Sequence, residues 1–205
     1  VTLEEHSSDT LEEARSICTA LECNDGDWIN EALCLAAALH DAGKASNMFQ
    51  TALASLGKEP PPEGGGPWAK APGGGGRIRY GRDYFRHELA GALALLSGAA
   101  LDDLAVLEAR ERDLVLYLVA SHHGRVRMSI RPVPGESGPG DGRRFALGVW
   151  DGDELPAVKL GKGVFVTGAR LDLSCMELGS LDGRSWSDRA ALLVSSEHLG
   201  PFRLG

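Results

Sequence analysis

The sequence predicts a mainly α-helical bundle with a small β-hairpin insertion in its C-terminal third. Apolar residues recur at helical spacing through most of residues 1–124. Short β-branched runs separated by Gly, Asp and Pro occupy about 145–180, and such runs are typical of hairpins. A chain of 205 residues with 43% hydrophobic residues suits one globular domain over 1–205. No apolar run reaches the ~18 residues that a membrane span needs.

Three predicted helices precede a long loop. The first covers residues 8–23, where Ser8 or Asp9 can cap its start, and "NDGD" ends it. The second covers residues 28–42 and is apolar nearly all round, which predicts a central position in the bundle. Gly43 ends the second helix, and a short third helix follows it.

The rest of the chain alternates between loops and regular elements. A Gly- and Pro-rich loop covers residues 57–81, and a helix begins near Tyr84. One or two further helices complete the helical part of the chain. A second loop covers residues 132–144, and one or two hairpins follow it. Ser185 or Ser187 then caps a last helix.

Composition limits the classes of function. The net charge of −8 argues against a free-standing nucleic-acid binder, which usually carries a basic surface. The four cysteines form no Cys-x-x-Cys pair, so a structural zinc site is not indicated. We expect buried, reduced thiols, which together with the lack of a secretory signal pattern favour a cytoplasmic protein.

The most informative residues are the six histidines. A single histidine on an apolar helix is most often a packing residue, but four of these lie at the ends or starts of predicted helices, and His6 precedes the first helix. Imidazole and carboxylate groups ligate divalent transition metals, and helix ends can bring them to one cavity. Neighbouring helix residues point ~100° apart, so an adjacent His-Asp or His-His pair serves two metal positions better than one. The residues concerned are His40 with Asp41, His87, and His122 with His123.

Several segments resemble one family. "LHDAGKASNMFQ", "FRHELAGALAL" and "VASHHGRVR" are similar to motifs of the HD-domain metal-dependent phosphohydrolase superfamily, and in particular to the HD nuclease domain of the CRISPR-associated Cas3 proteins. "SWSDRAALLVSSEHLGPFRLG" resembles a segment of the variant Cas3 HD domain in subtype I-G systems, formerly called I-U. The resemblance covers roughly residues 1–205 apart from the Gly-rich loops, and it implies an HD-domain helical bundle.

The resemblance also implies roles for individual residues. Asp41 bridges two ions, with His6 near the first ion, and Lys44 places an ammonium beside a phosphate oxygen or the attacking water. Asp41 and Lys44 are therefore the expected catalytic residues, although Lys44 can also be read as a solvated lysine after a helix. The full set of expected metal ligands is His6, His40, Asp41, His87, His122 and His123.

One departure from the family pattern concerns the first ion. The family completes that site with an aspartate after the "GPFRLA" segment, and in this sequence no aspartate follows "GPFRLG". Asp188 precedes that segment, so the role is not transferred to it. We therefore expect an incomplete or weak first site, and a second site that holds its ion better.

The implied activity is metal-dependent hydrolysis of phosphodiester bonds in single-stranded DNA during CRISPR type I interference. One or two divalent transition ions are expected, with Mn, Fe, Ni or Co favoured by the histidine-rich ligands and Mg as an alternative. No P-loop is present, so ATP hydrolysis must come from elsewhere. The resemblance implies a separate Cas3 helicase module and a crRNA-guided Cascade-type complex that supplies the target. No membrane partner is expected.

Arginines near the histidines are the candidate DNA contacts. They are Arg82, Arg86, Arg125 and Arg127. The alternative is that they are ordinary solubilising loop charges. Tyr80, Tyr84 and Phe85 can stack on bases, but packing in the core or a loop is the more common role for such residues.

Two other functions remain open at this point. The chain can be an HD phosphohydrolase that acts on nucleotides. It can also be a degenerate HD fold that serves as an interaction module, inactive because the last carboxylate is absent.

Overall fold

A computed structural model shows a mainly α-helical protein with a small antiparallel β region in its C-terminal part, as the sequence predicted. None of the described helices combines the length and apolarity needed to cross a membrane. The helices are α1 (Leu3–Ala20), α2 (Trp28–Leu39), α3 (Asn47–Ala54), α4 (His87–Leu96), α5 (Leu101–Ala105), α6 (Ala109–Ser121) and α7 (Trp186–Val194). The structure describes residues 1–21, 28–56, 66–70, 76–124, 127–179 and 184–201.

The helical core is built around α4 and α6. Helix α1 packs on α2, α2 on α6, and α6 on both α4 and α7. Nine of the ten residues of α4 are buried, whereas α2 buries only four of its twelve. The most central helix is therefore α4 rather than the predicted α2, because the apolar outer face of α2, with Leu33 at 39% exposure, remains partly open. A single cluster of buried apolar residues runs from Leu3 to Leu199, while the prediction of one domain over 1–205 stays a prediction.

Helix α1 begins at Leu3, which is five residues earlier than the sequence analysis predicted. Thr2 caps it: the Thr2 hydroxyl accepts from the Glu5 amide at 3.3 Å, and the Glu5 carboxylate accepts from the Thr2 amide at 2.9 Å. This reciprocal pair is a capping box, whose Thr-x-x-Glu signature the analysis overlooked. His6 consequently lies on α1, one turn inside the helix, and not before it.

Two glycines bring the segment after α2 against α4. Asp41 is followed by a short 3-10 helix, Ala42–Ala45. A Cβ atom on Gly43 would lie 1.9 Å from the His87 carbonyl oxygen and 2.6 Å from the Gly91 amide nitrogen. The two backbones are therefore in direct contact, and this contact places Asp41 beside His87.

The β region consists of three two-stranded antiparallel pairs. Strands β1 and β2 form one hairpin, β4 and β5 form a second, and β3 pairs with β6 across the base of the second. This confirms the predicted hairpin insertion, and residues 132–144 contain no helix or strand. The strands are β1 (Phe145–Ala146), β2 (Val149–Trp150), β3 (Glu154–Leu155), β4 (Val158–Gly161), β5 (Val164–Val166) and β6 (Ala169–Arg170).

The second hairpin packs directly on α1. Gly161, at the end of β4, has φ +79°, and a Cβ atom there would lie 1.8 Å from the Ser8 hydroxyl oxygen. Within the predicted loop 57–81, Trp68 forms an antiparallel bridge with Thr2, so this part of the loop is anchored to the start of α1. Residues 57–65 and 71–75 of that loop lie outside the described residues.

The cysteines only partly follow the expectation of buried thiols. Cys175 is buried, and its burial raises the pKa of the thiol to about 11. Cys18 and Cys34 are half-buried, and Cys23 lies outside the described residues.

Replacing Gly43 with alanine should separate the 3-10 helix from α4. The added methyl group would overlap the His87 carbonyl, and overpacking of this kind costs about 3 kcal/mol. Chemical denaturation of Gly43→Ala should therefore show a large loss of unfolding free energy. The matched control is Gly140→Ala, because a Cβ atom at Gly140 meets nothing within 4 Å. Equal stability of the two variants would contradict the close contact.

Candidate metal centre

The six predicted metal ligands meet at one end of the helical bundle. His6 comes from the first turns of α1, His40 and Asp41 follow α2, and His87 is the first residue of α4. His122 and His123 follow α6 directly. Their ligand atoms form two groups, each with all its atoms within 4.8 Å of one another. We call His6, His40 and Asp41 the first group, and His87, His122 and His123 the second group.

Asp41 lies between the two groups and faces both. Its Oδ2 atom is 3.1 Å from Nε2 of His6 and 3.1 Å from Nε2 of His40. Its Oδ1 atom is 3.2 Å from Nε2 of His87 and 3.6 Å from Nε2 of His122. One carboxylate thus presents a different oxygen to each group, as a bridging ligand does.

Backbone carbonyls fix the orientation of two imidazoles. Nδ1 of His40 is 2.8 Å from the Ala37 carbonyl oxygen, and Nδ1 of His122 is 2.8 Å from the Val119 carbonyl oxygen. A carbonyl oxygen can only accept, so Nδ1 carries the proton in each ring. In the neutral imidazole, Nε2 then presents a lone pair toward Asp41. This arrangement is typical of metal-ligating histidines.

The donor set fits a divalent cation. The Asp41 Oδ1 and His122 Nε2 atoms are buried and have no hydrogen-bond partner among the described residues. Nε2 of His123 is 3.2 Å from Nε2 of His87, which is close enough to share an ion at metal–nitrogen distances of ~2.0–2.1 Å. Unpartnered buried polar atoms are costly, and an ion between them would satisfy both.

The protonation states also favour ligation. Burial lowers the pKa of His6, His87 and His123, so these rings are neutral at neutral pH and their lone pairs are available. Burial opposes ionisation of Asp41, but the imidazoles that face it outweigh burial and hold its pKa well below its usual range. The site therefore presents an anionic carboxylate beside the neutral rings of His6, His87 and His123, and an Nε2 proton that is donated to Asp41 would be released when a cation binds.

Lys44 and Gln50 flank the first group. The Lys44 ammonium is 2.7 Å from Asp41 Oδ2, the same oxygen that faces His6 and His40. The Gln50 amide donates to the carbonyls of Lys44 and Trp68 at 2.7 and 2.9 Å, and the Gln50 side-chain oxygen accepts from the Trp68 amide at 3.1 Å. Gln50 therefore links Lys44 to Trp68, which forms an isolated bridge with Thr2 at the start of α1.

Arg127 is buried behind the second group, where it pairs with Glu88, the residue that follows His87. It donates to Glu88 at 2.8 Å and to the Ala120 carbonyl at 2.6 Å, and its own carbonyl accepts from the Trp186 indole at 2.7 Å. Glu88 is 1% exposed, and one of its oxygens is 3.7 Å from His87 Nδ1. The predicted DNA contact of Arg127 does not fit this placement, because its guanidinium is buried against a carboxylate.

Arg82 fastens the segment before α4 to the β region. Its guanidinium donates to both oxygens of Asp153 and to the Gly148 carbonyl, and it stacks at 3.8 Å from the Trp150 ring centroid. The Arg86 amide donates to the Leu147 carbonyl at 3.0 Å on the same side. Arg82 is thus engaged by protein groups, and Arg125 lies outside the described residues.

A cavity of about 620 Å³ adjoins the second group. His87 and His123 form part of its lining together with Lys44, Lys70 and Arg86. Of the predicted arginines that the structure describes, Arg86 is the one at this cavity. Its remaining lining is Phe49, Leu53, Leu56, Ala69, Gly76, Ile78, Tyr80, Phe85 and Glu88.

Glu88, Gln50 and Lys70 are parts of the site that were not predicted from the sequence. Glu88 follows His87 directly, and an acid next to a buried histidine was an available signal for an outer ligand partner. Gln50 and Lys70 carried no such signal, because each reaches the site through contacts with residues distant in sequence. Asp188, to which no metal role was transferred, accepts from the hydroxyl of Ser185 and completes the capping box in which Ser185 caps α7, as predicted.

Comparisons with known proteins give one family. The family model described as "Cas3, HD domain" matches residues 2–148, which include all six ligands. No curated protein and no solved structure gives a significant match.

Titration with Mn²⁺ or Co²⁺ should show two unequal binding steps. The second group offers three imidazoles and the unpartnered Asp41 Oδ1, whereas the first offers two imidazoles and an Asp41 oxygen that Lys44 already holds. His122→Ala should abolish the tighter step, and His6→Ala the weaker one, as measured by calorimetry and metal analysis. Two equally tight equivalents in the unmodified chain would contradict this order.

Replacing Arg127 with methionine should destabilise the fold rather than weaken DNA binding directly. Removing one partner of a buried ion pair costs about 3–5 kcal/mol because the other charge is left unpaired. Denaturant unfolding of Arg127→Met is the measurement, and exposed Arg131→Met is the matched control. If Arg127→Met kept its stability and lost DNA affinity, the result would support the predicted DNA contact of Arg127 and contradict a structural role.

Proposed function

The chain belongs to the Cas3 HD-domain family, and we propose that it is a metal-dependent nuclease that hydrolyses phosphodiester bonds of single-stranded DNA in CRISPR type I interference. The observation that carries this proposal is the bridging position of Asp41, with one oxygen toward each imidazole group. Such a site is suited to phosphodiester hydrolysis, in which two cations contact opposite sides of the reacting phosphate. The ions expected are Mn, Fe, Ni or Co, with Mg as an alternative.

When bound, the ions would supply Lewis-acid activation of water and would neutralise charge on the phosphate. The chain's own residues hold and orient these components. Asp41 would link the metal positions of the two groups. The hydrogen bonds from Nδ1 of His40 and His122 to backbone carbonyls keep the Nε2 atoms of these rings directed toward Asp41. Lys44 lies between Asp41 and the cavity, where its ammonium can donate to a non-bridging phosphate oxygen.

Activated water is the nucleophile that we propose. His87 and His123, the imidazoles that reach the cavity, belong to the set of candidate metal ligands. A metal site of this kind supports hydrolysis without a protein nucleophile.

We assign delivery of the DNA to partners. The net charge of −8 gives the chain little long-range attraction for DNA, and the cavity itself is lined by three cationic side chains, Lys44, Lys70 and Arg86. A Cas3 helicase module that hydrolyses ATP, together with a crRNA-guided Cascade-type complex, would bring the strand to the site in the cytoplasm.

A nucleotide phosphohydrolase is the second candidate function. The observation that favours it is the size of the cavity, since about 620 Å³ is enough for a free nucleotide beside the second group. In that case the same ligands would act on a nucleotide phosphate, and no partner would be needed.

Nicking of circular single-stranded DNA tests the proposal. The chain with Mn²⁺, Co²⁺, Ni²⁺ or Mg²⁺ should nick the circle, and EDTA should abolish nicking. His122→Ala should lower the rate at least a hundredfold because a metal ligand is lost, while His198→Ala, remote from both groups, should not. Hydrolysis of dNTPs with intact circles would favour the second candidate, and inertness of the metal-loaded chain toward both substrates would contradict both functions.

A further inference from the structure

One wall of the cavity is a row of aromatic rings that starts at the second group. The Phe49 ring lies edge-to-face with His87 at a centroid distance of 5.5 Å, and Tyr80 follows Phe49 at 6.1 Å. Phe85 lies edge-to-face with Tyr80 at 5.1 Å. Phe49 and Phe85 are buried, whereas Tyr80 is half-buried, so Tyr80 is the ring that has free surface for a ligand.

The charged lining of the same cavity is mostly positive. Lys44, Lys70 and Arg86 contribute cations, and the one acid, Glu88, is buried and paired with Arg127. Among the described residues, Lys70 and Arg86 have no ion-pair partner. The cavity thus combines an aromatic wall, two cations without an ion-pair partner among the described residues, and an adjoining set of candidate metal ligands.

We propose that this cavity binds one unstacked nucleotide of the substrate strand. The base of this nucleotide packs against Tyr80, and the phosphate adjacent to the scissile phosphate contacts Lys70 and Arg86. The proposal rests on the proposed nuclease function, because the metal ligands define where the scissile phosphate lies. A nucleotide is the ligand class that joins a flat aromatic group to an anion at short range, and both halves have a counterpart in the cavity.

This placement has two consequences for substrate choice. A base in a duplex is stacked and paired, so it must be extruded before it can enter the cavity, and single strands escape most of this cost. Stacking on a tyrosine accepts any base, and the charged groups of the lining are assigned here to phosphates, to the metal ions or to the Glu88–Arg127 pair rather than to an edge of the base. The cavity would therefore select single strands without selecting sequence.

An abasic scan tests the base contact. The substrates are a series of single-stranded oligothymidylates, each with one abasic residue at a different position. Each is incubated with the metal-loaded chain, and the rate of cleavage is measured at every bond. In the unmodified chain, an abasic residue at the position that enters the cavity should slow cleavage of the neighbouring bond about tenfold, as expected for the loss of one stacked base. Tyr80→Ala should be slower on the intact strand and should show no further abasic penalty.

Variants separate this contact from a structural effect. Tyr80→Phe keeps the ring and should retain the abasic penalty, and Phe165→Ala, an exposed aromatic on β5, should behave like the unmodified chain. Lys70→Met should slow cleavage of intact and abasic strands by the same factor, whereas Lys159→Met, at an exposed lysine, should not change the cleavage rate. The metal content of every variant is measured as a control, and an unchanged value would indicate that the second group is intact.

The outcomes distinguish this inference from the proposed function. If the unmodified chain cleaves DNA without any abasic penalty, or Tyr80→Ala keeps the penalty, the base does not occupy the cavity and the inference fails alone. If the chain cleaves no DNA, the proposed function fails, and fluorescence anisotropy of labelled intact and abasic oligothymidylates then decides the inference. Tighter binding of the intact strand that Tyr80→Ala abolishes would support it, and equal binding would overturn it.

Discussion

The buried carboxylate of Asp41 is the group on which the rest of the site depends. Burying a charge costs several kcal/mol unless it is compensated, and here the compensation comes from four chain segments at once. α1, the turn after α2, the start of α4 and the end of α6 each bring an imidazole toward it, and Lys44 adds an ammonium. The bundle is therefore organised around a charge that only converging partners make tolerable. A bound cation that favours the folded chain would stabilise it further.

The convergence of the candidate metal ligands was predictable because these residues combine two local signals. His40, His87 and His122 each stand where an apolar helical pattern starts or stops, and each neighbours a second ligand type or a glycine turn. The environment of the arginines was not predictable in this way. Arg127 looks like a solvated loop charge in the sequence, and only its pairing with Glu88, 39 residues away, makes it a buried structural group. The start of α1 was missed for a different reason, since the capping pair was present at Thr2 but carries no apolar periodicity.

The β region acts on the site through the segment that precedes α4. Arg82 is held by Asp153 and Trp150, and the backbone of Phe85 lies so close to Gly148 that a Cβ atom there would be 2.4 Å away. The segment held in this way contributes Tyr80 and Arg86 to the cavity and leads directly into His87. The hairpins are thus part of the structure that shapes the cavity wall, although none of their residues is a metal ligand.

The side-chain amide of Gln50 connects the segments that surround the first group. Gln50 donates to two carbonyls and accepts from a backbone amide, and through Trp68 it connects Lys44 to the helix that carries His6. Glutamate has the same shape as glutamine, yet when ionised it would set oxygen against oxygen at both carbonyls. The position therefore requires a side chain that both donates and accepts hydrogen bonds, a requirement that neither volume nor polarity alone would satisfy.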